Sequence, residues 1–206
     1  MMKFLLTLVL VFTFSNNLFA TLITKDVVKK ATIKYGVPSK KRFLSIYKDL
    51  IKGLKNESEF KKLTVVNQWY NFIKYKSDKK VYHKSDYWAT LYEFIGHGMG
   101  DCEDYTIAKY YTLKELGVSP KKMKFTYVIY KNKRGKKISH MVLSYLKVPK
   151  PKSKRDILIL DNTNGRILPA SKRKDIVKVI KMINGDTGAK SKKWKKLSLG
   201  MKRKKI

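Results

Sequence analysis

Apolar residues recur at helical spacing through the first half of the chain and at strand spacing through the second. Asp26 to Tyr35 predicts an amphipathic helix closed by Gly36-Val37-Pro38. Ser39 to Leu54 predicts a second, with Phe43, Ile46, Tyr47, Leu50 and Ile51 along one face. Ser58 to Tyr75 predicts a third, built on Leu63, Val66, Trp69, Tyr70 and Ile73. Ser77 to Tyr87 is polar and reads as a loop. A short helix over Ala89 to Ile95 is ended by Gly96-His97-Gly98-Met99-Gly100, which delivers the chain to a helix from Cys102 to Leu116. That helix carries Ile107, Tyr110, Tyr111 and Leu113 and is closed by Gly117.

Beyond Gly117 the period falls to two. Lys124 to Tyr130 and Ile138 to Leu146 read as strands joined by a turn at Arg134-Gly135. Ile157 to Leu160 is a third strand, ended by Asp161-Asn162, and Ile176 to Ile183 is a fourth. Helices first and an antiparallel sheet after them predict an α+β fold in one domain, without repeats or an interdomain linker. The domain is expected over 21–188, followed by a basic, partly mobile carboxy-terminal tail over 189–206 that contains Trp194.

The start of the chain has another character. Lys3, an apolar run from Phe4 to Phe14 and a polar stretch ending at Ala20 make 1–20 a secretory signal peptide. The alternative is an uncleaved anchor, although the run falls short of the ~20 residues of a full span. Either way the domain is expected outside the cytoplasmic membrane, in the periplasm.

Charge changes the picture next. Forty-eight Lys and Arg against 15 Asp and Glu give a formal net charge of +33. Nucleic-acid binding is the first reading of such a balance. Here, however, the lysines are scattered over nearly every segment and Arg, the better reader of phosphates and bases, is scarce. Nucleic acid is therefore not expected as the main partner, and a weak attraction to anionic membrane is the more modest expectation.

Against this basic background stands Gly100-Asp101-Cys102-Glu103-Asp104-Tyr105, which holds the single cysteine among three carboxylates. One cysteine cannot form an internal disulfide, so it is a buried small side chain or a free thiol. At a helix start, unpaired N–H groups and the macrodipole stabilise a thiolate. His140 on a strand would supply the base, and Asp161 at the end of the neighbouring strand would orient it. His97 and His83 are rival bases. Trp88 could wall such a site or simply pack in the core. The acids would by themselves raise the thiol pKa. Asp101, Glu103 and Asp104 suit Ca²⁺ as hard oxygen ligands, and suit helix capping equally well. Spacing leaves the two open.

Several blocks together resemble the bacterial transglutaminase-like cysteine proteinases. They are Val66 to Asn71, Asp86-Tyr87-Trp88-Ala89-Thr90 with Glu93, Gly98 to Tyr105 with Ile107 to Tyr110, His140-Met141-Val142-Leu143, and Leu160-Asp161-Asn162 with Ile167, Pro169 and Ala170. The likeness spans roughly Leu63 to Ile183. It implies a papain-like, transglutaminase-like core with Cys102 as nucleophile, His140 as base and Asp161 as its orienting acid. It also implies Ca²⁺ dependence through Asp101, Glu103 and then Asp104. The implied substrate is a large repeat-containing surface adhesin, cut near its amino end, and the implied inhibitory partner is an inner-membrane cyclic di-GMP receptor. The chain departs from the family in its basic surface and Lys-rich tail. Two alternatives stand beside this reading: an acyltransferase using the same three residues, and a non-catalytic basic module binding nucleic acid or membrane.

Overall fold

A computed structural model describes residues 22–185 and 192–206, so the signal-peptide reading of 1–20 lies outside the described residues. Thr24 caps α1 (Lys25–Tyr35) by accepting from the Val27 N–H. Gly36, at φ 77°, turns the chain directly into α2 (Val37–Ser45), whose first turn accommodates Pro38. A π-helical stretch, Ile46–Lys52, continues α2 and buries Ile46 and Leu50. Ser58 then caps α3 (Glu59–Asn71).

The third helix is shorter than its apolar pattern predicts. Instead of running to Tyr75 it ends at Asn71, leaves Phe72 on the surface, and gives way to β1 (Lys74–Tyr75). The chain stops coiling there because its backbone is used elsewhere: β1 pairs in parallel with β2 (Met99–Gly100), and the Lys76 N–H donates to the Gly100 carbonyl at 2.8 Å. The polar loop after β1 contains one helical turn, α4 (Asp78–Val81). A capping box between Thr90 and Glu93 starts α5 (Leu91–His97).

Central to the fold is α6 (Cys102–Glu115). Tyr105, Ile107, Ala108, Tyr110 and Leu113 are buried around it, and so is Lys109, so this helix has almost no solvent face. The sheet follows as β3 (Met123–Lys131), β4 (Lys137–Leu146), β5 (Ile157–Leu160), β6 (Leu168–Pro169) and β7 (Ile176–Asn184). The strand order is β6-β5-β4-β3-β7, antiparallel throughout. Phe125, Met141, Leu143 and Leu160 join the main core with α6, while Val128, Val142 and Ile159 form a smaller cluster of their own. Since β4 and β5 are neighbours, His140 and the residue that follows β5, Asp161, come to the same end of the sheet.

The expected basic tail is instead part of the packed domain. Residues 192–202 form α7 (Lys192–Lys202), whose Trp194, Leu197 and Met201 are buried in the main core. These three recur at i, i+3 and i+7, so a narrow apolar stripe docks the helix while its lysines stay in water.

Candidate active site

Three local devices set Cys102 in place. The first is the glycine break. Gly98, at φ 66°, ends α5 in the left-handed region. The Arg42 guanidinium caps that end from another helix, donating from Nε to the Ile95 carbonyl and from Nη2 to the Gly96 carbonyl, each at 2.6 Å. The second is close approach at Gly100, where an added Cβ would lie 2.4 Å from Asp104 Oδ2 and 2.6 Å from the Phe94 ring. The third is Thr106, whose hydroxyl lies 2.8 Å from the Cys102 carbonyl and 3.2 Å from the Met141 carbonyl. One side chain thereby ties the first turn of α6 to the strand that bears His140.

Cys102, Glu103, His140, Trp88, Asp86 and Lys193 line a small cleft of about 160 Å³. His140 is buried, and its Nε2 lies 2.8 Å from Asp161 Oδ1. Asp161 is satisfied on both oxygens. Oδ1 also accepts from the Thr163 N–H at 2.9 Å, and Oδ2 accepts from Thr163 Oγ1 at 2.8 Å and Arg173 Nη2 at 2.6 Å. Burial alone would raise this carboxyl, but the hydrogen bond and charge of His140, with Arg173 and the Thr163 N–H, hold it well below the usual carboxylate range. An ionised Asp161 can only accept, so His140 Nε2 carries the proton of that hydrogen bond.

The loop bearing Asp161 is fastened to the helices from behind. Lys109 Nζ, buried in α6, donates to Asn67 Oδ1 and Asn71 Oδ1, both at 2.8 Å. Asn71 Nδ2 in turn donates to the Asp161 carbonyl at 2.8 Å. Burial pushes Lys109 down to about 7, the nearby Asp161 working the other way.

Electrostatics around the thiol are opposite in kind. Cys102 Sγ donates to Glu103 Oε2 at 2.9 Å. Burial, then Glu103, then Asp101 push the thiol pKa far up, and a hydrogen bond from the Met141 N–H works the other way. Burial and mutual repulsion also raise Asp78, Asp101 and Asp104. Asp104 is tied to the backbone: Oδ1 accepts from the Ala89 N–H at 3.0 Å and Oδ2 from the Asp101 N–H at 3.3 Å. Asp78 Oδ1 and Asp101 Oδ1 are buried with no hydrogen-bond donor. Asp78, Asp101 and Asp104 each offer an oxygen within 4.8 Å of the others, and so do Asp78, Asp86 and Glu103. Clustered hard oxygens, two of them buried acceptors without donors, fit a divalent cation such as Ca²⁺.

The structure thus gathers Cys102, Asp101, Glu103 and Asp104 at one helix start and joins His140 to Asp161 in the adjoining wall. The rival histidines lie elsewhere. His97 packs between Tyr35 and Tyr82, at 4.8 and 5.2 Å between ring centres, and neither it nor His83 lines the cleft. Sequence reasoning did not assign Asp78 or Asp86 to the site: Asp78 lies in a loop read as polar, and Asp86 entered only as part of the block Asp86 to Thr90. The signal was there: acids are rare in this chain. It also missed Arg173 and Thr163, for which local sequence offers no signal, since their role depends on the fold bringing them to Asp161.

A family model described as bacterial transglutaminase-like cysteine proteinase matches residues 47–200. Among solved structures, Legionella pneumophila LapG is similar at 35% identity, covering 86% of this chain and 95% of that one, with a TM-score of 0.67. Its calcium-bound form matches at 33% identity, over 85% and 98% of the two chains, with a TM-score of 0.68. Its EGTA-treated form matches at 34%, over 86% and 95%, also at 0.68. Among curated protein sequences nothing matches.

Proposed function

The chain belongs to the bacterial transglutaminase-like cysteine proteinases, and on that premise we propose that it is an endopeptidase working through Cys102, His140 and Asp161. The observation that carries this reading is the Asp161–His140 hydrogen bond in the wall of the same cleft as the single cysteine, itself at a helix start.

With Nε2 committed to Asp161, Nδ1 is the ring nitrogen that exchanges protons with the thiol. Sγ attacks the peptide carbonyl as Nδ1 takes its proton. Backbone N–H groups at the start of α6, that of Cys102 among them, stabilise the oxyanion. His140 then returns the proton to the departing amine, and the thioester forms. Water, deprotonated by His140, attacks the thioester and frees the new carboxylate, with the thiol restored. Throughout, Asp161 stays ionised and balances the imidazolium.

Asp78, Asp101 and Asp104, with Glu103 and Asp86 toward the cleft, would hold Ca²⁺. The ion would supply positive charge that offsets the acids crowding the thiol. The relative LapG has a calcium-bound structure, which supports this reading. As substrate we infer the amino-terminal region of a large repeat-containing surface adhesin. The location is the periplasm, and an inner-membrane cyclic di-GMP receptor holds the protease in check, so that biofilm attachment follows the second messenger.

The test is cleavage of an adhesin amino-terminal fragment by the purified protein, with calcium, with chelator, and with Cys102→Ala. Shortened fragments that require both Cys102 and calcium are expected. Cross-linked or amidated product in their place would assign acyl transfer. An intact fragment, together with a thiol inert to alkylation in the folded protein, would sink the enzyme reading.

A further inference from the structure

The carboxy-terminal helix brings a positive charge to the acidic side of the cleft. Trp194 is anchored against Phe125, Trp88 and Tyr110, at 5.1, 6.3 and 6.4 Å between ring centres. Core packing therefore places its neighbour, Lys193, which lines the cleft beside Cys102 and Glu103. Lys193 Nζ pairs with Asp86 Oδ2. Asp86 is one of three carboxylates, with Asp78 and Glu103, whose oxygens lie within 4.8 Å of one another. Within that set Asp78 is 2% exposed and its Oδ1 has no donor, so the group is short of positive charge even with Lys193 present. The ammonium thus sits on a carboxylate of the set that would hold the cation.

We propose that Lys193 competes with the cation for Asp86, so that α7 sets how tightly calcium binds. The proposal rests on the calcium reading above and adds the residue that regulates it. Without the cation, Lys193 neutralises Asp86. When calcium binds, Asp86 turns to the ion and the ammonium is released along the cleft wall next to Cys102. Both partners are about half exposed, at 47% and 51%, so the exchange is easily reversible. An exposed pair of this kind shifts an equilibrium by about two- to fivefold. A lysine suits the part, because its charge rides on a long flexible stem that can leave without disturbing Trp194.

The experiment is calorimetric titration of calcium alone into wild type, Lys193→Met, Lys193→Arg, Asp86→Asn and the Lys193→Met/Asp86→Asn pair, at one ionic strength. Lys193→Met is expected to tighten calcium binding about two- to fivefold, and Lys193→Arg to leave it near wild type. Asp86→Asn weakens binding, and on that background Lys193→Met loses most of its effect. Unchanged or weaker binding in Lys193→Met overturns the proposal, as does an equal gain with and without Asp86, which would mean a diffuse charge effect. If wild type binds no calcium, the proposal and the calcium reading fall together. Cys102-dependent cleavage that ignores chelator would then still stand as the protease.

Discussion

Asp161, behind His140, and the aspartates Asp78 and Asp101, beside Cys102, are all largely buried, yet they are treated in opposite ways. Asp161 has His140, Arg173 and both donors of Thr163, and its carboxyl is held far down. Asp78 and Asp101 are also largely withdrawn from water, yet each keeps an oxygen with no donor, and their carboxyls are raised. The difference teaches that burial alone does not decide the fate of a carboxylate; the supply of donors does. The His140 wall is complete within the polypeptide. The acids beside Cys102 are left with buried oxygens that no donor satisfies.

The most forceful way to break the comparison is to make Asp161 resemble Asp101. Arg173→Met strips the guanidinium from a buried charge and should cost about 3–5 kcal/mol, read from urea unfolding. The pH dependence has a definite sign. Asp161 is depressed in the folded state, so its stabilisation is present above the unfolded value of about 3.9 and is lost as pH falls toward the folded value. Arg173→Met should flatten that acid limb.

The converse is to complete the Cys102 wall. Calcium at a hundredfold excess over its Kd should stabilise the fold by about 2.7 kcal/mol, visible as a rise in Tm that chelator reverses. A smaller effect comes from removing one charge there. Asp101→Asn should raise stability in chelator by about 1 kcal/mol while shrinking the increment from calcium. Smallest is Thr163→Val, which deletes one of several donors to Asp161 and should cost about 1 kcal/mol or less; urea midpoints without calcium rank it against the others.

Much of this plan was legible in the chain. The change of period from helix to strand marked the α+β plan, and the order Cys102, His140, Asp161 on helix, strand and strand end could be read directly. What could not be read was whatever depends on distant backbone. Phe72 and Ile73 prolong an apolar pattern past a helix that ends because β1 is recruited by β2. Lys109 looks like a solvated lysine until two asparagines from α3 are found around it. The stripe of Trp194, Leu197 and Met201 was visible, but the density of lysines beside it masked a docked helix as a tail.

The approach at Gly100 has a consequence for how this gene can vary. Every amino acid other than glycine carries a Cβ, and here that atom would meet the Asp104 carboxylate and the Phe94 ring at 2.4 and 2.6 Å. No missense change of this codon is therefore neutral, whatever base is altered. Gly165, where an added Cβ finds nothing within 4 Å, has no such restriction. In a saturation library selected for folded protein, the Gly100 column should be depleted of every substitution while the Gly165 column fills, so that one codon is fixed by a contact its own residue makes no atom to form.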